Sequence, residues 1–274
     1  MKPGGDKKPD TSWGKVADWY GEYLGGDDTY QSKVILPNLL RVLAIQKGDR
    51  VLDLACGEGF FAREFAKAGA RVAGADIAKE LIEKARAQGG GIEYFVAPAD
   101  KLAFAKDGEF DAVVCVLALQ NIEDVPAVYA EARRVLRPTG KFAMTVWCGP
   151  DTSACFAAVH QAIKTHGHPD VSIPSGPDFH QFARRDQAVR ILSDAGFSNI
   201  DVTTVDCVWD LDAPEDLFEI YAKGTVRVAT MLATQPPQNL AAIRTALALS
   251  VRQQFSVGNR WRVPVPAALV SATA

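Results

Sequence analysis

The feature of this sequence that most constrains its fold is a regular alternation of short apolar segments and amphipathic segments over residues 49–147. Five segments are short, rich in β-branched or aromatic residues, and bounded by Gly, Asp or Pro, which is typical of strands. They are residues 50–54, 71–76, 92–96, 110–117 and 141–147. The stretches between them carry apolar residues at helical spacing. This alternation predicts an α/β fold in which helices cover both faces of a parallel sheet.

The two flanks are predicted to add helices to this core rather than to form a second domain. Helical patterns cover residues 31–43, 153–165 and 185–195, and three more lie within 214–253. Residues 200–209 are predicted to form a strand, and residues 261–270 an edge or irregular strand because prolines interrupt it. We therefore predict one domain with three parts: residues 1–44 as an N-terminal segment with lid helices, 45–150 as the core, and 151–274 as a helical cap with the last two strands.

Composition narrows the possible partners. The chain has 274 residues, of which 48% are hydrophobic, and a net charge of −3. This balance gives no general attraction to nucleic acid or to anionic membranes. The longest apolar run, residues 112–119, is far too short to span a bilayer, and the polar first ten residues do not form a signal peptide. We expect a cytoplasmic protein with a small-molecule partner and no membrane span.

The five cysteines contain no CxxC pair, and the close pair His166 and His168 has no acidic or thiol partner in register. We therefore predict neither a disulfide framework nor a metal site.

The loop after the first predicted strand indicates a ligand site. The segment VLDLACGEG, residues 51–59, is a strand that ends in an acid, followed by a turn of small residues, and a helix begins at Phe60. Ligands bind beyond the carboxyl ends of the strands in parallel sheets. Gly57 and Gly59 allow a ligand to approach the backbone, and the helix start offers free N–H groups.

Two ligand classes fit such a loop. Gly57-x-Gly59-x-x-Ala62, with Asp76 about twenty residues further on, satisfies the dinucleotide fingerprint and suggests an NAD(P)-dependent oxidoreductase. Asp53 favours another ligand, because its carboxylate would repel a diphosphate and attract an ammonium group. An amino-acid-bearing nucleoside has that ammonium group and no phosphate. A non-catalytic module that only binds such a ligand is a third possibility.

Several segments together resemble a known family. VLDLACGEG resembles the first motif of class I S-adenosylmethionine-dependent methyltransferases. VAGADI with Asp76, then Asp100, FDAVVCVLALQNIED and RVLRPTGKF follow in the order of that family. The similarity covers about residues 15–147 and is greatest to the branch of the ubiquinone- and menaquinone-pathway C-methyltransferases. It implies a Rossmann-like, mostly parallel seven-stranded sheet with an antiparallel last strand, an N-terminal helical lid and a C-terminal helical cap.

The resemblance also implies a cofactor, S-adenosyl-L-methionine with S-adenosyl-L-homocysteine as product, and residues that bind it. The methionine part would contact Asp53, Ala55, Cys56, Gly57 and Gly59. Asp76 would accept the ribose hydroxyls, and Ile77, Ala99 and Asp100 would contact adenine. Val116 and Leu117 would lie beside the transferable methyl group. Each residue alone also fits a purely structural role, but acids at three successive strand ends favour ligand binding.

The sequence departs from the family at two of these places. Pro98 stands where the adenine segment usually has an aspartate, which leaves Asp100 as the only carboxylate there. Gln120 and Asn121 stand where a histidine is frequent at the end of the fourth strand.

Aromatic faces near a sulfonium cation are favourable. The N-terminal cluster contains Trp13, Trp19, Tyr20, Tyr23 and Tyr30. We predict that Tyr20 and Tyr30 contact the cofactor from the lid; the alternative is that these aromatics pack a helix onto the sheet.

Methyl transfer from a sulfonium is an in-line displacement, for which the enzyme mainly has to align the two reactants. We predict that Gln120 orients the acceptor without acting as a base. Any proton that must be lost would go to water or to His180, or the acceptor would be acidic enough to ionise by itself. The alternative for Gln120 is a helix-start residue that faces solvent. The helices in 214–253 are predicted to cap an acceptor pocket together with Phe179, His180 and Phe182, or else to form an extra layer or a dimer interface. The expected acceptor is small and partly apolar.

Overall fold

The structure is a computed structural model that describes residues 29–174, 176 and 178–274. Its strands are β1 (Arg50–Leu54), β2 (Arg71–Asp76), β3 (Glu93–Val96), β4 (Phe110–Val116), β5 (Leu136–Trp147), β6 (Ser198–Val205), β7 (Val208–Leu211), β8 (Ser256–Val257), β9 (Arg260–Pro264) and β10 (Ala267–Thr273). Seven of them form the main sheet in the order β3-β2-β1-β4-β5-β10-β6. The first five are parallel, and β10 is antiparallel to both of its neighbours.

Helices follow the strands as the periodicity predicts. A π-helical turn, Gln31–Ile35, leads into α1 (Leu36–Leu43). The others are α2 (Phe60–Lys67), α3 (Lys79–Ala87), α4 (Val125–Val135), α5 (Ala154–His166), α6 (Arg185–Asp194), α7 (Asp216–Gly224), α8 (Arg227–Ala233) and α9 (Pro237–Gln254). Asp124 caps α4, since its Oδ1 accepts a hydrogen bond of 3.1 Å from the backbone N–H of Ala127.

Each face of the main sheet carries its own apolar core. Phe65 of α2 and Ile82 of α3 are fully buried in one core, and Tyr129 of α4 and Leu192 of α6 are fully buried in the other. Helices therefore cover both faces, which confirms the doubly wound, mostly parallel architecture with an antiparallel last strand.

The last strands differ from the sequence prediction. Residues 200–209 do not form one strand, because a tight turn in which the N–H of Cys207 donates to the carbonyl of Val205 separates β6 from β7. Residues 261–270 are likewise divided between β9 and β10. Pro264 and Pro266 lie at the division, and proline lacks the N–H that would continue a ladder. The prediction of an edge strand was wrong for β10, which lies inside the sheet between β5 and β6.

β7, β9 and β8 form a second, three-stranded antiparallel sheet. Within the described ranges, no helix combines the length and the apolar character that crossing a membrane requires. The predicted lid residues Trp13, Trp19, Tyr20 and Tyr23 lie outside the described residues.

Candidate functional site

The loop after β1 turns through left-handed backbone conformations. Ala55, Gly57 and Gly59 have φ angles of 56°, 56° and 78°. The backbone of Cys56 still bonds to β2, because its N–H donates to the carbonyl of Ala75 at 3.0 Å. A Cβ atom added to Gly57 would meet nothing within 4 Å. The backbone at Gly57 therefore faces open space, which leaves room for a ligand.

Asp76, at the end of β2, joins two loops. Its Oδ2 accepts a hydrogen bond of 2.9 Å from the N–H of Gly57, and its Oδ1 accepts one of 2.8 Å from the N–H of Ala78. The side chain is only 8% exposed. Burial raises its pKa, while the backbone hydrogen bonds oppose that rise. Each carboxylate oxygen keeps a lone pair for a further donor.

Asp53 is the more deeply buried acid of the site. Its Oδ2 has no hydrogen-bond partner. Burial is the main cause that raises the pKa of Asp53 to about 8, and the nearby charge of Asp76 contributes to that rise. A buried carboxyl group with an unpaired oxygen costs free energy that a bound cation would offset.

Tyr94 of β3 is a residue of this site that the sequence analysis missed. Its buried side chain lies against the positions where Gly59 and Gly74 have no side chain. A Cβ atom on Gly74 would lie 2.7 Å from Cδ1 of Tyr94. Tyr94 therefore packs below the loop and requires glycine at both positions. The signal in the sequence is Gly74 itself, because an isolated glycine in a strand indicates a close approach.

The residues predicted to contact adenine lie at the same edge of the sheet. Ile77 follows Asp76 and is 41% exposed. Ala99 and Asp100 follow β3, whose continuation is tied to β2 by the hydrogen bond from the N–H of Ala97 to the carbonyl of Asp76. The structure thus brings Asp53, the glycine loop and Asp76 together. The residues predicted to contact adenine follow the ends of β2 and β3: they are Ile77, Ala99 and Asp100.

The end of β4 forms the other side of this edge. Leu117, directly after Val116, has a φ of 52° and donates its N–H to the carbonyl of Thr145 at 2.9 Å. Gln120 lies in the 3-10 turn Leu119–Asn121 and is 3% exposed. The alternative that Gln120 faces solvent is therefore wrong.

A cavity of about 330 Å³ opens beside the end of β4. Leu117 and Gln120 belong to its wall. Six aromatic residues also line it: Tyr30, Trp147, Phe156, Phe179, Trp209 and Tyr221. These rings pack mainly edge to face, with Tyr30 and Trp147 5.5 Å apart and Phe156 and Tyr221 6.0 Å apart. The result is a shaped apolar pocket with few polar groups, as small-molecule sites commonly are.

His180 is the half-buried polar group of this wall. Its Nδ1 lies 3.1 Å from the carbonyl oxygen of Trp147. A carbonyl can only accept, so Nδ1 carries the hydrogen of the neutral ring and Nε2 keeps a lone pair. Burial lowers the pKa of His180 below its ordinary value. His160 of α5, which the sequence analysis missed, also lines the cavity, with its ring 6.5 Å from that of His180.

The predicted cap is present in part. α7 and α8 contribute Ile220, Tyr221, Gly224, Arg227 and Val228 to the cavity wall, and Phe179 lies beside them. α9 packs behind them on α5. The prediction for Phe182 was wrong: its ring packs 6.0 Å from Tyr129 in the core of the opposite face. Over the described ranges, no three His, Cys, Asp or Glu side chains are grouped to hold a metal ion.

Comparison with known proteins agrees with this geometry. Residues 52–144, about a third of the chain, match the family described as "Methyltransferase domain". The ubiquinone biosynthesis O-methyltransferase of Xanthomonas oryzae pv. oryzae is 38% identical over 98 residues, which are 34% of this chain and 41% of that protein. The chain thus spans about two fifths of the length of such relatives.

Solved structures share the fold over most of the chain. A SAM-dependent methyltransferase of Methanosarcina mazei is similar with a TM-score of 0.52 and 18% identity, over 86% of this chain and 96% of that one. Phosphoethanolamine N-methyltransferase 2 of Haemonchus contortus, in complex with S-adenosyl-L-methionine, has a TM-score of 0.50 and 19% identity, over 87% of this chain and 51% of that one.

The matched segment contains the loop after β1, Asp76, and the end of β4. Residues 52–144 are therefore similar to methyltransferase domains, including those of the ubiquinone-pathway enzymes, and the chain shares the fold of S-adenosylmethionine-dependent methyltransferase structures.

Proposed function

We propose that the chain transfers a methyl group from S-adenosyl-L-methionine to a small, partly apolar molecule. The observation that carries this proposal is the pair of buried acids at the glycine loop. Asp53 has an unpaired oxygen, and Asp76 holds the N–H of Gly57 at 2.9 Å. Asp53 suits an ammonium group and opposes a diphosphate, which disfavours the NAD(P)-dependent alternative, and Asp76 suits the ribose hydroxyls.

The residues fit the cofactor. Asp53, Ala55, Cys56, Gly57 and Gly59 would hold its methionine part, where the backbone of Gly57 faces open space. Asp76 would accept the ribose hydroxyls. Adenine would lie against Ile77, Ala99 and Asp100. Val116 and Leu117 would adjoin the sulfonium, with Tyr30 across the cavity and Tyr20 from the lid.

The 330 Å³ cavity is the proposed acceptor site because Leu117 belongs both to its wall and to the strand end beside the glycine loop. This volume lies at the lower end of the range for small-molecule pockets. Its aromatic walls favour a flat or partly apolar acceptor rather than a nucleic acid. The cofactor supplies an electrophilic methyl group, so the protein's main task is to align the acceptor with it.

His180 is the proposed base for acceptors that must lose a proton. Its Nε2 is the unprotonated nitrogen of the neutral ring, and its lowered pKa keeps that ring neutral near pH 7. Gln120 cannot serve as a base, since an amide takes up no proton near neutral pH.

A panel of small acceptors tests the proposal. The purified chain is incubated with S-adenosyl-L-methionine and phenols, enols, amines or carboxylic acids of one-ring size, and S-adenosyl-L-homocysteine is quantified. Turnover with one class, abolished in the Asp76→Ala variant, is expected. Tight cofactor binding without turnover on any acceptor would instead support the non-catalytic module.

A further inference from the structure

Gln120 is tied to backbone at both ends of its amide group. Its Nε2 donates to the carbonyl of Leu117 at 3.1 Å, and its Oε1 accepts from the N–H of Trp147 at 3.2 Å. The orientation of the amide is fixed, because the Leu117 carbonyl can only accept and the Trp147 N–H can only donate. The side chain thus connects the ends of β4 and β5, two neighbouring strands of the sheet.

The same residue, Trp147, holds His180. The carbonyl oxygen of Trp147 lies 3.1 Å from Nδ1 of His180, while its N–H is bound by Gln120. Hydrogen bonds therefore join Leu117 to Gln120 and Gln120 to the N–H of Trp147, and the carbonyl on the next peptide unit of Trp147 meets His180. Leu117 adjoins the proposed methyl position, and His180 is the proposed base.

Leu117 needs such support. Its φ of 52° is in the left-handed region, which is costly for a leucine and persists only where surrounding contacts enforce it. The hydrogen bond from Gln120 holds its carbonyl, and Thr145 holds its N–H through both the carbonyl oxygen at 2.9 Å and Oγ1 at 3.2 Å.

We propose that Gln120 is a positioning residue that does not itself bind the acceptor. It holds the backbone of Leu117, beside the proposed methyl position, and the backbone of Trp147, beside His180, in one fixed arrangement. The proposal rests on the proposed function, in which Leu117 adjoins the methyl group and His180 takes the proton. It replaces the sequence-based expectation that Gln120 orients the acceptor directly. Gln120 acts at one end on the Leu117 carbonyl. At the other end it holds the N–H of Trp147 and so fixes the end of β5, whose Trp147 carbonyl selects the His180 tautomer with hydrogen on Nδ1.

Two variants of Gln120 separate the effect of its hydrogen bond to Leu117 from that of its hydrogen bond to Trp147. Gln120→Met keeps a similar side-chain volume and removes both hydrogen bonds. Gln120→Glu keeps an acceptor for the Trp147 N–H. Because burial favours the neutral carboxyl group, which can still donate to Leu117, this variant loses that donor only at a pH that ionises it. Glu123→Ala is the matched control, since Glu123 is exposed, lies three residues after Gln120 and is not part of the cavity wall.

The first measurement is the His180 tautomer, read from the ¹⁵N shifts of histidine-labelled full-length protein at pH 8. We expect hydrogen on Nδ1 in the wild type, in Gln120→Glu and in Glu123→Ala. In Gln120→Met the end of β5 is no longer held, so the Trp147 carbonyl can move away from His180; the ratio of the two tautomers should shift by about fivefold toward hydrogen on Nε2, the equivalent of losing one neutral hydrogen bond. An unchanged ratio in Gln120→Met, or hydrogen on Nε2 in the wild type, would overturn the proposal.

The second measurement is the affinity for S-adenosyl-L-homocysteine by calorimetry. Gln120→Met should bind it about threefold to tenfold more weakly, Gln120→Glu should do so once its carboxyl group is ionised, and Glu123→Ala should bind it as the wild type does. Equal affinity in Gln120→Glu, at a pH at which the ¹³C shift of the introduced carboxyl group shows that it is ionised, would overturn the role of the hydrogen bond to Leu117. This variant also gives the answer if Gln120→Met does not fold. A wild-type protein that binds neither S-adenosyl-L-methionine nor S-adenosyl-L-homocysteine would refute the proposed function. The tautomer of His180 would still test whether Gln120 acts through its hydrogen bond to Trp147.

Discussion

The N–H of Gly57 donates a hydrogen bond of 2.9 Å to the carboxylate of Asp76, two residues that are nineteen positions apart in the chain. This bond closes the loop after β1 against the end of β2. Asp76 therefore both shapes the glycine loop and keeps lone pairs for a ligand that lies on it.

Replacing Asp76 by Ala should weaken binding of S-adenosyl-L-methionine by about 1.5–3 kcal/mol, the usual worth of hydrogen bonds to a charged group. Calorimetry measures this, with circular dichroism to verify the fold. Glu80→Ala is the control, because Glu80 is exposed in the first turn of α3 beside the site. Unchanged affinity in a folded Asp76→Ala protein would remove Asp76 from the binding site.

Asp53 should make the stability of the protein depend on pH. Its folded-state pKa of about 8 is above the ordinary value of 3.8, so the folded state binds the proton more tightly than the unfolded state does. The resulting stabilisation is complete below pH 3.8 and is lost as the pH rises through about 8. Asp53→Asn has no such group.

Urea unfolding of both proteins between pH 5 and pH 9 tests this. The free energy of unfolding of Asp53→Asn, relative to wild type, should increase with pH up to about 8 and then stay constant. A difference that does not change with pH would mean that Asp53 is not a buried acid in the folded protein.

The fold could be predicted from the sequence wherever a local pattern determines an element. The spacing of apolar residues predicted the positions of β1, β2 and all three cap helices. Each of these helices buries one face, and each of the two strands is buried over nearly its whole length. It could not be predicted that residues 200–209 divide into β6 and β7 and residues 261–270 into β9 and β10. Which strands pair is determined by segments that are far apart in the chain. β10 pairs with β5 and β6 across a long separation in the chain, which no local pattern encodes.

The site shows the same division. Gly57, Gly59 and Asp76 could be predicted because their signal is local in the sequence: the glycines mark a tight turn directly after a strand, and the acid ends the next strand. Tyr94, His160 and the two hydrogen bonds of Gln120 could not, because each depends on elements that only the folded chain brings together. Phe182 was misplaced for this reason: it is close to His180 in sequence, but the 3-10 turn Gln181–Ala183 directs it into the opposite core.

His180 should control the acidic limb of the pH–rate profile with any acceptor that must lose a proton. Burial places the pKa of His180 below its ordinary value of 6.5. The rate should therefore fall as the pH decreases below 6.5 and His180 becomes protonated. His180→Ala should lose this limb and reduce kcat by about 10²- to 10⁴-fold. His168→Ala, in a loop outside the cavity wall, is the control. An acidic limb that persists in His180→Ala would place the base elsewhere.

Removing residues 1–28 tests the predicted lid while it leaves Tyr30 in place. Tyr30 is buried and packs on Trp147, so a deletion that included it would also disturb the core. We expect a folded sheet with weaker binding of S-adenosyl-L-methionine, because Tyr20 and the neighbouring aromatics would no longer cover the sulfonium. Wild-type affinity and turnover in the shortened protein would refute the lid.

The measurement that tests the central claim most directly is a calorimetric titration of the full chain with S-adenosyl-L-methionine, S-adenosyl-L-homocysteine and NADH. Asp53 and Asp76 predict saturable heat with both sulfur nucleosides, and Asp53 predicts none with NADH, because a diphosphate would lie against its carboxyl group. Saturable heat with NADH alone would contradict the account and assign the loop to a dinucleotide.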